Sequence, residues 1–174
     1  TESNNLALKG VAYRNRKKGN HIITTSIEHI SIINICKYLQ REGFEITYTP
    51  VDNNGVIDLE KLEESINDKT ILISVMYANG EVGTIQPIRE IGKLTQENNV
   101  LFHVDAVAAA GKLPINVKEE QIDLLSLSSN DLYGPKGVGA IYIKKGTKIQ
   151  PIIQGGGQEN GLRSGTENIP GIVG

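Results

Sequence analysis

The sequence of 174 residues contains no tryptophan, a single methionine and a single cysteine, Cys36. One cysteine cannot form an internal disulfide, which favours a reducing compartment, and we therefore predict a cytoplasmic location. No apolar run is long enough to span a membrane and no secretory signal pattern is present, so we predict no membrane partner. Lys and Arg total 18 while Asp and Glu total 20, without a basic stripe, so we predict no nucleic-acid partner.

What the sequence does contain is typical of a globular domain, with 39% hydrophobic and 22% charged residues. Capping residues, glycines and apolar periodicity predict helices and strands that alternate through the first hundred residues. The predicted helices cover residues 1–16, 31–42, 58–66 and 88–98, and the predicted strands cover residues 21–26, 44–48, 70–76, 100–106, 122–127, 140–143 and 149–153. This alternation indicates βαβ crossovers, so we predict an α/β fold with three α/β/α layers around a mostly parallel sheet.

Polar side chains follow several of the predicted strands, and in such folds ligands bind beyond the carboxyl ends of the strands. Four strand ends carry them, at Glu28–His29, Asn79–Glu81, Asp105 and Ser128–Asp131. The loop at Ser126–Ala140 also combines small hydroxyls with glycines, a composition typical of a loop that lies against a ligand. The sequence therefore predicts a binding site at this edge of the sheet.

Six stretches add a more specific signal because they occur together and in one order. They are TESNN (1–5), SIEH (26–29), NGEVG (79–83), HVDA (103–106), YGPKGVG (133–139) and GGGQE…RSGT (155–166). With them the chain resembles the large domain of NifS/IscS-type cysteine desulfurases, which are class V aminotransferases and fold-type I pyridoxal-phosphate enzymes. The resemblance implies that residues 1–174 are this large domain, a fragment of a longer protein with an N-terminal segment and a C-terminal small domain outside it.

The resemblance also implies a function and a cofactor. The family are transferases that convert L-cysteine to L-alanine and pass the sulfur on, as a persulfide, to a scaffold protein in iron–sulfur cluster assembly. The implied cofactor is pyridoxal 5'-phosphate, and no metal is predicted. Its dianionic phosphate needs hydroxyl and backbone N–H donors, and its ring nitrogen needs a carboxylate. The candidate ligands are Thr1, Ser128 and Asn130 at the phosphate, Asp105 at the ring nitrogen, His29 stacked on the ring, Asn79 near the ring hydroxyl, and Thr166 reaching the phosphate of a neighbouring subunit in a homodimer.

The sequence departs from the family at the residue that defines its chemistry. Asp131 stands where the family has the lysine that forms an imine with the cofactor, and a carboxylate cannot form one. Lys136 matches a separate lysine of the Gly-Pro-Lys-Gly turn and does not replace it. Three further positions differ: Asn130 for a histidine, Gly80 for an asparagine and Ala108 for a glutamine. We therefore expect the cofactor to bind noncovalently or not at all, with Asp131 either a weak base or a relic.

Three functional hypotheses follow. The first is a cysteine desulfurase homologue in iron–sulfur assembly; because the family's nucleophilic cysteine and substrate-binding arginine lie in a later segment, the present segment alone is predicted to be inactive. The second is a noncatalytic dimeric platform for a scaffold protein, and the third a diverged class V enzyme. Residues outside the site are given ordinary roles: His103 structural, His21 on the surface, Cys36 a packed thiol, and Arg163 an ion-pair residue at a dimer interface.

Overall fold

The structure is a computed structural model that describes residues 1–174. Its helices are α1 (Glu2–Asn15), α2 (Ile30–Arg41), α3 (Leu59–Ser65), α4 (Ile88–Glu97) and α5 (Ile169–Val173). Its strands are β1 (His21–Thr25), β2 (Glu45–Thr49), β3 (Thr70–Met76), β4 (Leu101–Asp105), β5 (Leu124–Ser128) and β6 (Gly139–Ile143). Single 3-10 turns cover Asn130–Leu132 and Glu159–Gly161.

The six strands form one sheet in the order β2-β1-β3-β4-β5-β6. The first five strands are parallel, and β6 pairs antiparallel with β5. All residues of β1 and β3 are buried, because helices cover both faces of a parallel sheet. The chain continues from β1 to β2 on one side and returns to β3 on the other, so the point where the strand order reverses lies between β1 and β3.

Each face of the sheet has its own hydrophobic core. On one face α1 and α2 pack on strand residues that include Ile22 and Leu72. On the other face Leu62 of α3 and Ile91 of α4 pack with strand residues that include Ile73. Neighbouring residues of a strand point to opposite faces, so consecutive apolar residues such as Leu72 and Ile73 serve different cores. The predicted three-layer α/β/α fold with a mostly parallel sheet is confirmed.

Two local predictions are wrong. The segment 149–153 forms no strand; instead Ile149 is buried against α1 and the Gln150 N–H donates to the carbonyl of Gly10 at 2.9 Å. His21 is not a surface residue: it is buried, and its ring nitrogens lie 2.8 Å from the hydroxyls of Thr70 and Thr47. A polar residue at the first position of a central strand can be buried because flanking hydroxyls satisfy its ring inside the sheet.

No helix combines the length and the apolar character needed to cross a membrane.

Candidate functional site

The parallel strands bring the predicted polar residues to one edge of the sheet. Glu28 and His29 follow β1, Asn79 follows β3, Asp105 ends β4 and Ser128 ends β5. The site begins at the point where the strand order reverses, because β1 and β3 are neighbours there. Parallel strands end at a common edge, and the predicted grouping of these residues follows from this topology.

Asp105 is a buried carboxylate without a cation. Its side chain is 5% exposed and takes part in none of the four ion pairs of the chain. Oδ2 accepts a hydrogen bond from Asn4 Nδ2 at 2.7 Å, and Oδ1 accepts one from the Val107 N–H at 3.1 Å. Burying a carboxylate among neutral donors alone is costly, so this environment suits a cationic ligand group such as a protonated ring nitrogen.

His29 lies directly in front of α2 and is exposed. Its Nδ1 accepts the Ser31 N–H at 3.2 Å, so the ring acts as the N-cap of the helix. The Ser31 hydroxyl lies 2.8 Å from the same nitrogen. One edge of the ring is therefore fixed to the protein, while the rest of the ring is available to stack on a planar ligand.

The phosphate end of the predicted site adjoins a cleft of about 720 Å³ that both Thr1 and Ser128 line. Thr1 occupies the N-cap position of α1, but its side chain makes no capping hydrogen bond. Its hydroxyl and the unpaired N–H groups of the first turn can therefore serve an anion. Asp105 and His29 do not line this cleft, which extends from α1 towards β6 and the segment 159–172. The cleft is thus offset from the part of the predicted site that contains Asp105 and His29.

The remaining predicted residues lie around this region in different environments. Asn130 is exposed and Asp131 is half-buried, both in the 3-10 turn after β5, and Asp131 forms no ion pair. Thr166 is exposed in the segment that leads to α5. No group of three or more His, Cys, Asp or Glu residues has a metal-binding arrangement.

Asn79 uses most of its side chain to hold its own loop. Its Oδ1 accepts the N–H groups of Glu81 and Val82 at 2.8 and 3.1 Å, and its Nδ2 donates to the Ile27 carbonyl at 3.1 Å. One amide proton remains for a ligand. A Cβ built on the adjacent Gly80 would lie 3.7 Å from the Ala108 Cβ, so two of the positions that depart from the family are neighbours. Gly80 and Ala108 are both smaller than the asparagine and glutamine of the family, and they therefore leave space next to each other.

Glu28, in the loop after β1, connects the ends of β1 and β3, the two strands between which the strand order reverses. Its Oε1 accepts the Thr25 hydroxyl at 2.7 Å and the Met76 N–H at 2.9 Å, whereas its buried Oε2 has no partner. Burial raises the pKa of this carboxyl to about 8, with a smaller contribution from the charge of Asp105, against the lowering effect of its hydrogen bonds. Glu28 is therefore a largely protonated acid at neutral pH, and its role in the strand connection was not predicted.

His103 connects three strands inside the sheet, as the predicted structural role requires. It is fully buried, with Nδ1 2.9 Å from the Ser74 hydroxyl on β3 and Nε2 2.9 Å from the Ser126 hydroxyl on β5. Burial lowers the pKa of the imidazole from 6.5 to about 4, and the neighbouring Asp105 opposes this only in part. The ring is thus neutral at physiological pH.

We expect His103 to make the protein sensitive to acid. Between pH 6.5 and 4 the unfolded chain binds a proton that the folded chain excludes, so stability rises with pH in this window and is lost as the pH falls. The loss reaches about 3 kcal/mol for one such group at 1.36 kcal/mol per pKa unit. Free energies of unfolding measured across this window should rise less with pH, or fall more, for His103→Gln than for the wild type. Equal slopes would show that another group controls the acid sensitivity.

Two further side chains have roles that the structure defines. Cys36 lies on the buried face of α2, and burial raises the pKa of its thiol to about 12, so the predicted packed thiol is confirmed. Arg163 pairs within the chain, with Nε 2.6 Å from Glu2 Oε1 at the start of α1. Arg163, predicted to form an ion pair at a dimer interface, therefore forms its ion pair with a carboxylate of its own chain.

Sequence reasoning missed the two residues that connect Asp105 to His29. Asn4 of α1 is 2% exposed and donates both amide protons, to Asp105 Oδ2 at 2.7 Å and to the Ser31 Oγ at 3.0 Å. Asn4 lies within the quoted TESNN stretch, and a polar residue among the apolar positions of a helix was the available signal. Its partners are 27 and 101 residues away, so the sequence alone could not pair them.

Comparisons with known proteins identify the family of the chain. The family model described as aminotransferase class-V matches residues 1–174. The chain is 58% identical over 174 residues to the cysteine desulfurase IscS of Clostridium botulinum, and 57% identical over the same length to that of Methanosarcina thermophila. These alignments include 100% of this chain but 44% and 43% of the relatives, so the chain spans less than half of their length.

Solved structures show the same similarity. A NifS-like protein superposes with a TM-score of 0.95 at 49% identity, over 99% of this chain and 48% of that chain. SspA in complex with cysteine superposes with a TM-score of 0.94 at 46% identity, over 99% of this chain and 50% of that chain.

Proposed function

Because the chain belongs to the class-V aminotransferase family, we propose that it is the cofactor-binding large domain of a cysteine desulfurase. The reaction proposed is conversion of L-cysteine to L-alanine, with the sulfur passed on as a persulfide. The buried Asp105 carboxylate, which lacks a cation and lies at the same sheet edge as the exposed His29, is the observation that carries the proposal. The names of the relatives, and a structural neighbour in complex with cysteine, support the substrate.

The residues of the chain fit pyridoxal 5'-phosphate in their chemistry. When bound, the cofactor supplies an electron-poor ring that accepts electrons from the substrate carbon. In this proposal Asp105 keeps the ring nitrogen protonated and His29 stacks on the ring. Thr1, Ser128 and Asn130 donate to the phosphate, with the first turn of α1. Asn79 offers its remaining amide proton near the ring hydroxyl.

The covalent anchor is the part that does not fit. Asp131 offers a carboxylate where the family has a lysine, so we propose that the cofactor is held by noncovalent contacts alone. The loss of the lysine also removes the group that moves protons at the substrate carbon. His29 remains at this edge of the sheet, where the nitrogen of its exposed ring that is not committed to α2 can serve the ligand as a hydrogen-bond donor.

The proposal extends to partners and location. We propose a homodimer in which Thr166 reaches the phosphate of the neighbouring subunit, an iron–sulfur scaffold protein as sulfur acceptor, and a cytoplasmic location. Support comes from the exposure of Thr166 and from the presence of a single, buried cysteine in the chain.

A second candidate function is a noncatalytic dimeric platform for the scaffold protein. Asp131 at the lysine position favours it, and so does the space left by Gly80 and Ala108, whose shortened side chains are neighbours. A diverged class V reaction is the third possibility and rests on the same substitutions.

The test is to incubate the intact protein with pyridoxal phosphate, L-cysteine and dithiothreitol, which reduces the persulfide and releases its outer sulfur as sulfide, and to measure alanine and sulfide. We expect slow production of both, and its loss in Asp105→Ala, whereas Asp52→Ala, which removes an exposed carboxylate, should match the wild type. Absence of both products in the wild type, together with absence of cofactor binding, would overturn the desulfurase proposal and favour the platform. Sulfide production without alanine would favour a diverged class V reaction.

A further inference from the structure

Four side chains from three parts of the fold form a continuous hydrogen-bonded chain. Asn4 of α1 donates one amide proton to Asp105 Oδ2 at 2.7 Å and the other to the Ser31 Oγ at 3.0 Å. The Ser31 Oγ in turn lies 2.8 Å from His29 Nδ1. Asn4 and Ser31 are 2% and 8% exposed, so the two hydrogen bonds of Asn4 are shielded from water. The residue proposed for the ring nitrogen and the residue proposed to stack on the ring are thus connected inside the protein.

The direction of each hydrogen bond follows from the donors available. The Ser31 Oγ accepts from Asn4, so its own proton is free to donate to His29 Nδ1. The Ser31 backbone N–H, which can only donate, also points to Nδ1 at 3.2 Å. A nitrogen that accepts two hydrogen bonds carries no proton. The neutral His29 ring therefore carries its proton on Nε2, the nitrogen on the other side of the ring.

We propose that Asn4 and Ser31 are positioning residues that hold Asp105 and His29 in a fixed relation and keep His29 in the Nε2–H tautomer. The inference rests on the proposed function, because Asp105 and His29 matter together only if both contact one cofactor ring. Asn4 holds the carboxylate oxygen of Asp105 that the Val107 N–H does not reach, and Ser31 fixes the plane of the imidazole. A ligand that uses both residues then binds without ordering either of them.

The tautomer is measured first, on intact protein labelled with ¹⁵N-histidine and kept free of pyridoxal phosphate. Two-bond proton–nitrogen correlations distinguish the Nε2–H from the Nδ1–H form, and His29→Gln identifies the His29 signals. We expect the pure Nε2–H pattern in the wild type, a partial admixture of the Nδ1–H form in Ser31→Ala, where only the backbone N–H still donates to Nδ1, and recovery of the pure pattern in Ser31→Thr, which restores a hydroxyl. An unchanged pattern in Ser31→Ala would overturn the assignment of Ser31.

The affinity for pyridoxal phosphate is measured next, by equilibrium titration. We expect Asn4→Ala to raise the Kd about tenfold, because the carboxylate loses one charge-assisted hydrogen bond. The matched control is Asn15→Ala on the same helix, whose side chain donates to the Val11 carbonyl at 2.9 Å, away from the sheet edge. Asn4→Ser, with a smaller loss of volume and a hydroxyl retained, serves if Asn4→Ala does not fold.

The two proposals fail in different ways. If the cofactor binds and Asp105→Ala abolishes binding, but the Asn4 variants bind as the wild type does, the positioning role of Asn4 is wrong and the proposed function stands. If the wild type does not bind the cofactor, the proposed function is wrong. The cofactor-free tautomer measurement then still decides whether Ser31 controls His29.

Discussion

Replacing Asp131 by lysine is expected to give the protein a covalent attachment site for pyridoxal phosphate. Residue 131 lies in the 3-10 turn that follows β5, is half-buried, and forms no ion pair that the substitution would break. A lysine there can form the bond with the cofactor aldehyde that a carboxylate cannot, and it can move protons at the substrate carbon. A positioned proton-transfer group contributes about 10²- to 10⁴-fold in rate, so we expect alanine and sulfide production to rise by a factor in that range.

The readout that does not depend on activity is reductive trapping. After borohydride treatment, Asp131→Lys should carry the mass of one cofactor on the peptide that contains residue 131. Asp131→Asn, which removes the charge without adding an amine, should carry none. The wild type provides an internal control because it retains the exposed Lys136 in the same loop. Trapping at Lys136, or none in an Asp131→Lys variant that still binds the cofactor, would show that the loop is wrongly aligned with the family.

Replacing Glu28 by glutamine is expected to remove a large pH dependence of stability. The carboxyl pKa is 4.5 in an ordinary environment and about 8 in the folded chain, because burial disfavours its charge. Between these values the folded state holds a proton that the unfolded state has released, so stability falls as the pH rises through this window and is constant above it. At 1.36 kcal/mol per unit, the fall approaches about 5 kcal/mol.

Glutamine is a close isostere of the protonated acid in this site. Its Oε1 can accept from the Thr25 hydroxyl and the Met76 N–H as the carboxyl does, and its amide takes the place of Oε2, which has no partner in the wild type. We therefore expect Glu28→Gln to be similar to the wild type near pH 4.5 and clearly more stable near pH 8. Denaturant unfolding at a series of pH values measures the difference.

The matched control for Glu28→Gln is Glu64→Gln, which changes an exposed carboxylate on α3. It should leave the slope between pH 4.5 and 8 unchanged. His103 acts with the opposite sign at lower pH, since its pKa is lowered to about 4, so the two slopes oppose each other where their windows overlap. A Glu28→Gln profile parallel to that of the wild type above pH 6.5 would show that Glu28 is ionised in the folded protein.

Residues that act through local patterns were predictable. Asp58 was predicted to begin a helix, and its Oδ1 accepts the Lys61 N–H at 3.1 Å ahead of α3. The apolar, β-branched run at 70–76 was predicted as a buried strand and is β3 with every residue buried. Such features depend on neighbours within a few positions, which a sequence displays directly. The polar residues at the strand ends were predictable for the same reason, once the strands themselves were placed.

Residues that act through distant partners were not predictable. His21 was predicted on the surface, yet hydroxyls 26 and 49 residues away satisfy its ring inside the sheet. Ile149 was given to a strand on apolar character alone, but α1 offers it a buried position without strand pairing. Glu28 was noted only as a polar residue after a strand, because its link to the Met76 N–H exists only once β1 and β3 are neighbours.

By itself the sequence determined the alternating α/β fold, the sheet edge where the polar residues gather, the family, and the substitution at Asp131. Each of these depends on residue identity and order along the chain. Only the tertiary structure decided that Asn4 and Ser31 connect Asp105 to His29, that Glu28 is a buried acid, and that Gly80 and Ala108 share one space. The physical reason is that hydrogen bonding, desolvation and free volume depend on which groups meet in space, and these groups meet only after the parallel strands have assembled.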